Sequence, residues 1–146
     1  MIEKLVLTNF RKFKDKIFEF DKNIVIFYGH NAQGKSSVLE AIYILNTGTS
    51  PWASTNEYIN VDQNGNAHTR IESIEEGKSY AYFKDISKRI FKIESKNVKP
   101  STFFEKRSSN IFNPEKIELL MISPSERRNF LDSTLLKYDY EYETLL

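Results

Sequence analysis

The chain has 146 residues, enough for one compact domain, and 40% of them are apolar, with eleven Phe and eight Tyr. That composition excludes a disordered chain. The lack of cysteine excludes a disulfide framework and a thiolate metal site, and two histidines, His30 and His68, are too few for a metal centre of their own. A net charge of +1 carries no bulk signature of a nucleic-acid binder. No apolar run approaches the ~20 residues of a membrane span. With Glu3 and Lys4 where a signal peptide would have its apolar core, the expectation is a cytoplasmic, soluble protein with no membrane partner.

Ile2–Leu7 is apolar and β-branched and reads as a strand, followed by a turn at Asn9-Phe10-Arg11-Lys12. Lys16–Phe20 alternates as a second strand, and Asp21-Lys22-Asn23 is a turn. Ile24–Tyr28 is a continuous apolar run, which suits a central strand buried on both faces. From Lys35 to about Leu45 the apolar residues Val38, Leu39, Ile42 and Leu45 recur at helical spacing, and Asn46-Thr47-Gly48 ends the helix. Thr49–Asn60 is polar and irregular, either a loop lying over a site or a plain surface connection. His68–Ile74, Ser79–Lys84 and Lys88–Ser95 alternate as an antiparallel meander, split by Glu76-Gly77 and Asp85. Ser109–Phe112 is a further short strand candidate. Pro114 opens a helical turn, and Ser123-Pro124-Ser125-Glu126 starts a helix running to about Lys137. Tyr140–Leu146 begins another helical pattern without a C-terminal cap signal.

Between the third strand and the first helix lies Gly29–Ser36, GHNAQGKS, which satisfies G-x-x-x-x-G-K-[ST] with Gly29, Gly34, Lys35 and Ser36. Chance occurrence in a chain this short is on the order of one in a few hundred. An apolar run before it and an amphipathic helix after it supply the context that distinguishes a phosphate loop from an ordinary glycine turn. The chemistry explains the residue types. Glycines admit backbone conformations closed to other residues and bring N–H groups close to phosphate. Those N–H groups and the helix N-terminus form an anion nest. Lys35 supplies a mobile positive charge for the β- and γ-phosphates, and the Ser36 hydroxyl is a ligand for Mg²⁺. The nucleotide-binding set is therefore Gly29, His30, Asn31, Ala32, Gln33, Gly34, Lys35, Ser36 and Ser37, with Arg11 as a candidate second phosphate contact beside the first strand. An exposed turn arginine is an equally good reading of Arg11.

Charge is unevenly spread. Lys84 to Arg107 holds eight basic and three acidic residues, whereas Asp139, Glu141 and Glu143 cluster near the end. A basic stretch of this kind is most often a solvated face. Its second reading is a sequence-indifferent, salt-sensitive contact to DNA phosphates, with Lys88, Arg89 and Lys92 as the candidates.

Asn31 and Gln33 within the loop, together with the short first strand and Asn9-Phe10-Arg11, resemble the head domains of the SMC/Rad50/RecF group of ABC-type ATPases. A second block narrows this. Asn113-Pro114-Glu115, then Ile117 to Met121, then Pro124-Ser125-Glu126-Arg127-Arg128-Asn129-Phe130-Leu131-Asp132 resembles the signature of the RecF family, in the family's order and at about its spacing. Ile122 departs from it, standing where the family has a glycine. The resemblance covers Ile2 to Leu146. It implies an α/β P-loop NTPase fold, the N-terminal half of an ABC-type head with an antiparallel β meander over residues 1–112, and the start of a helical lobe over 113–146.

The resemblance also implies a function: ATP with Mg²⁺ as cofactor, an ATP-dependent homodimer, and DNA at single-strand gaps as partner. RecR and RecO are further implied partners in recombinase loading during DNA repair, replication and the SOS response. Arg127 and Arg128 become candidate DNA contacts, or partners of nearby acids such as Glu126. The family's Walker B strand and Ser-Gly signature are not legible here: no glycine follows Gly77, and no aliphatic run ends in paired acids. The expectation is thus an N-terminal fragment that holds ATP without splitting it. Alternatives are another SMC-, Rad50- or RecN-like head, a stand-alone non-hydrolysing nucleotide-binding module, and a small-molecule kinase. The absence of a long coiled-coil insertion argues against the first, and the meander against the last.

Overall fold

Alternation along the chain becomes one antiparallel sheet in the computed structural model, which describes residues 1–53, 57–61, 65–112 and 123–135. Its strands are β1 (Ile2–Phe10), β2 (Phe13–Glu19), β3 (Asn60–Val61), β4 (Ala67–Glu75), β5 (Lys78–Asp85), β6 (Arg89–Ile93) and β7 (Lys96–Val98). They run in the order β2-β1-β4-β5-β6-β7, with β3 pairing β4 at Asn60↔His68 where β1 has left its edge. Among the described residues three helices accompany them: α1 (Lys35–Thr47), α2 (Pro100–Phe104) and α3, Pro124–Leu135. The chain divides into two compact units, Met1–Ser109 and Asn110–Leu146; the sheet, α1 and α2 belong to the first and α3 to the second.

Turn chemistry sets the register. Glu76-Gly77 joins β4 to β5 with φ of 51° and 73°, and Glu94-Ser95 joins β6 to β7 with φ of 49° and 65°. Two successive positive φ values match the right-handed twist of the flanking strands. Between β5 and β6 the Asp85 carboxylate accepts the backbone N–H groups of Ser87 and Lys88, both at 2.8 Å. Those bonds favour its ionised form and hold its pKa below the usual carboxylate value.

One face of the sheet is the core face. Leu5 and Leu7 of β1, Ile71 of β4, Tyr82 of β5 and Phe91 of β6 are buried there together with Val38, Ala41, Ile44 and Leu45 of α1 and Phe103 of α2. Each buried Leu or Ile stabilises the fold by about 2 kcal/mol. Gly48 ends α1 at φ 78°, its N–H bonded to the Ile44 carbonyl at 2.7 Å. A Cβ there would lie 2.9 Å from the Phe104 ring, so α2 packs on the helix end as well as on the sheet.

Several expectations need correction. Asn9 and Phe10 continue β1, because Phe10 pairs with Phe13 and leaves only Arg11-Lys12 as the turn. The expected strand Lys88–Ser95 stops at Ile93 for the turn into β7. Ser109–Phe112 forms no strand. Ile24–Tyr28 is not a strand buried on both faces: no ladder reaches it among the described residues, and Ile24, Ile26 and Tyr28 are 82%, 78% and 90% exposed. Only Phe27 turns inward, meeting the edges of Phe18 and Phe20 at 6.2 Å. A central strand needs a neighbour on each side, and the described residues supply neither. The readings at Asn113–Met121 and Tyr140–Leu146 lie outside the described residues.

Candidate functional site

The loop Gly29–Gly34 is shaped by its backbone. Ala32 has φ 60°, and Gly34 caps α1 at φ 92°, in the left-handed region. Gly34 is required twice over, since a Cβ on it would stand 2.6 Å from Cζ of Phe13. The β1–β2 hairpin therefore lies directly on the loop, and Phe13, through its contact with Phe18, anchors it to the aromatic cluster on β2. The first turn of α1 closes with the Val38 N–H on the Gly34 carbonyl at 3.1 Å.

Beside the loop is a cleft of about 610 Å³. Asn31 to Ser37 form one wall; Arg11 and Lys12 from the β1–β2 turn and Glu57 and Asn60 form the other. The Lys35 ammonium donates to the carbonyls of Gly29 at 2.9 Å and His30 at 2.8 Å. Gly29 and His30 thus hold the lysine without lining the cleft, and His30 is exposed. The cleft collects three cationic side chains, free backbone at a helix N-terminus and the hydroxyls of Ser36 and Ser37. Such an arrangement binds a polyphosphate.

Arg11 lies at this cleft, but its guanidinium is engaged elsewhere. Nε and Nη2 each donate to Glu40 of α1 at 2.8 Å, and Nη1 donates to the Glu57 carbonyl at 3.3 Å. The bonds to Glu40 push the Arg11 pKa up, against the smaller opposing effect of burial. Glu40 is 2% exposed and accepts a third bond from the Ser50 hydroxyl, whose oxygen in turn accepts the N–H groups of Trp52 and Ala53. Arg11 is thus an internal anchor that ties the β1–β2 turn to α1 and to the loop after it. Its backbone is held as well: its N–H donates to the Tyr58 carbonyl and its carbonyl accepts the Asn60 side chain.

Among the candidate DNA contacts of the first unit, Arg89 and Lys92 do not share a face of the sheet. Lys88 is exposed at the β5–β6 turn and Arg89 opens β6, exposed and opposite Lys84. Lys92 lies three residues on, so the strand pleat sends it to the other face of the sheet. Lys84 itself is buried, and burial, helped by the Arg89 charge, lowers its pKa. Arg127 and Arg128 are exposed on α3 in the second unit. Sequence reasoning missed Lys12, Glu57, Asn60 and the carboxylate that Arg11 binds. Lys12 had a legible signal, being a second cation in the turn expected beside the nucleotide edge. Glu40 had none, since it reads as an ordinary helix position.

Comparisons with known proteins identify the family of the chain. A model of the AAA domain family matches residues 4–145. DNA replication and repair protein RecF of Acetivibrio thermocellus is 36% identical over 148 residues, covering 97% of this chain and 40% of that protein. RecF of Clostridium kluyveri is 35% identical with the same coverage. A solved structure of the recombination mediator protein RecF-ATP in the RecFOR pathway superposes with a TM-score of 0.83 at 26% identity, covering 98% of this chain and 40% of that one. The chain spans about 40% of the length of the curated relatives it matches. No helix among the described residues is long and apolar enough to cross a membrane. The chain belongs to the AAA domain family, and within it is similar to the N-terminal part of RecF, the P-loop half of an ABC-type ATPase head.

Proposed function

We propose that the cleft at the start of α1 binds ATP. The triphosphate lies on the backbone N–H groups of Asn31–Ser37, the part of the loop that lines the cleft, and on the Lys35 ammonium. The observation that carries this is the position of Lys35, held at the loop by two carbonyls that a phosphate oxygen would outcompete. Ser36 lines the cleft and offers a hydroxyl to Mg²⁺. That fits an ion that keeps most of its ligands as water and nucleotide oxygens. No cluster of three or more His, Cys, Asp or Glu among the described residues is arranged for a metal, so the ion would arrive with the nucleotide.

In a protein of RecF length, this part would serve recombinational DNA repair and replication in the cytoplasm. It would bind DNA at single-strand gaps as an ATP-dependent homodimer and act with RecR and RecO to help load the recombinase. The similarity to RecF proteins, including one solved with ATP in the RecFOR pathway, supports this reading. By itself the chain holds ATP without turning it over, because no acid pair after an aliphatic strand is legible to orient water. Equilibrium dialysis of ATP against the 146-residue chain and its Lys35→Ala variant tests the binding. Saturable binding lost in the variant supports it; equal retention by both proteins contradicts it. Multiple-turnover hydrolysis abolished by Lys35→Ala would contradict the claim of binding without turnover.

A further inference from the structure

We propose that Lys12 is a second phosphate-binding lysine of this cleft, in addition to Lys35. The inference rests on the reading that the cleft takes a nucleoside triphosphate. Lys12 sits in the two-residue turn of the β1–β2 hairpin, next to Phe13, whose ring covers Gly34. Its stem follows the same surface: a Cβ built on Gly34 would lie 3.3 Å from Cδ of Lys12. Its ammonium reaches across the cleft to donate to the Ala32 carbonyl at 2.7 Å. The hairpin thus delivers this charge to the middle of the phosphate loop, whereas Lys35 grips the start of the loop at Gly29 and His30.

Its choice of partner points to a ligand. Among the described residues Lys12 forms no ion pair, whereas its neighbour Arg11 is paired with Glu40. A backbone carbonyl is a neutral acceptor. A phosphate oxygen adds the attraction of its own negative charge, so the ammonium exchanges one for the other when a polyphosphate enters. The cleft then answers the triphosphate with two mobile ammonium groups, while Arg11 stays in the wall. Glu57 is the one carboxylate among the described lining residues.

Two variants of the 146-residue chain separate a phosphate contact from a prop under the loop. Lys12→Gln keeps a donor for the Ala32 carbonyl but has no charge; Lys12→Arg keeps the charge. ATP affinity is read by isothermal titration calorimetry, with melting temperature as the control for folding. Lys12→Gln is expected to bind ATP about tenfold more weakly at unchanged melting temperature, with Lys12→Arg within about threefold of the parent chain. The loss is expected to shrink in high salt, as an exposed charge contact is screened. Lys12→Gln binding ATP as tightly as the parent overturns this inference alone. A parent chain that binds no ATP overturns the nucleotide reading and this inference with it.

Discussion

Breaking the Arg11–Glu40 pair should be the most damaging perturbation near the cleft that touches no phosphate-binding group. Glu40 is 2% exposed and accepts two bonds from Arg11, each at 2.8 Å, and one from Ser50. Breaking a buried pair by deleting one partner costs about 3–5 kcal/mol, because the other charge is left without compensation. The Arg11 side chain is 29% exposed and can partly rehydrate, so Glu40→Ala falls at the lower end, about 3 kcal/mol. Arg11→Ala strands the more deeply buried charge, with Ser50 its remaining partner, and costs about 4 kcal/mol. The double variant removes both charges and loses much less than the sum, giving a coupling energy of about 2–3 kcal/mol. Denaturant unfolding read by circular dichroism supplies all four free energies, provided the slope is unchanged across the set. In a thermal melt the Glu40→Ala loss appears as a drop of about 6–12 °C. Two single variants that each cost under about 1 kcal/mol, with an additive double, would refute the anchor role of Arg11.

Gly34→Ala should both destabilise the chain and abolish ATP binding, since φ of 92° and the Phe13 ring each oppose a Cβ; a variant that binds ATP as the parent does would contradict the loop geometry. The hydroxyls of Tyr58 and Tyr82 meet at 3.1 Å in the core. Either single change to Phe orphans a buried hydroxyl at about 1–2 kcal/mol, whereas the double change should cost less than the two together. Burial raises the pKa of both tyrosines above the ordinary value of 10.0. The folded state therefore keeps their protons longer than the unfolded state, and their contribution is complete below about pH 10 and lost as pH rises beyond it. Stability that is flat from pH 9 to 12 in urea titrations would contradict that linkage. DNA affinity through Lys88 and Arg89 should fall with salt and with Lys88→Ala/Arg89→Ala, and Lys92→Ala, on the opposite face, should leave it unchanged; a salt-independent affinity would rule the contact out.

Much of the candidate site was legible because its signal is local. Gly29, Gly34, Lys35 and Ser36 lie within eight residues, and the helix they open is marked at its far end by Gly48. The meander was legible for a similar reason: β4 and β5 announce themselves by alternation and by the Glu76-Gly77 turn. What escaped depends on distant partners. Arg11 reads as a phosphate contact until Glu40, 29 positions away, brings a buried carboxylate beneath it. Ile24–Tyr28 carries every sign of a buried strand, but burial belongs to the neighbours on either side, and periodicity says nothing of those. Two-residue β3 and three-residue β7 are too short to show a period at all.

The loop segment Asn31–Ser37 is expected to receive the phosphates of ATP, with Gly29 and His30 responding as Lys35 leaves their carbonyls. The most direct measurement of this is the change in backbone amide resonances of the ¹⁵N-labelled chain on titration with ATP and Mg²⁺. The account predicts saturable shifts that are largest from Gly29 to Ser37, with smaller ones at Arg11 and Lys12, and their disappearance in Lys35→Ala. Saturable shifts that leave Gly29–Ser37 in place and centre elsewhere on the sheet, or no shifts at millimolar ATP, would contradict it.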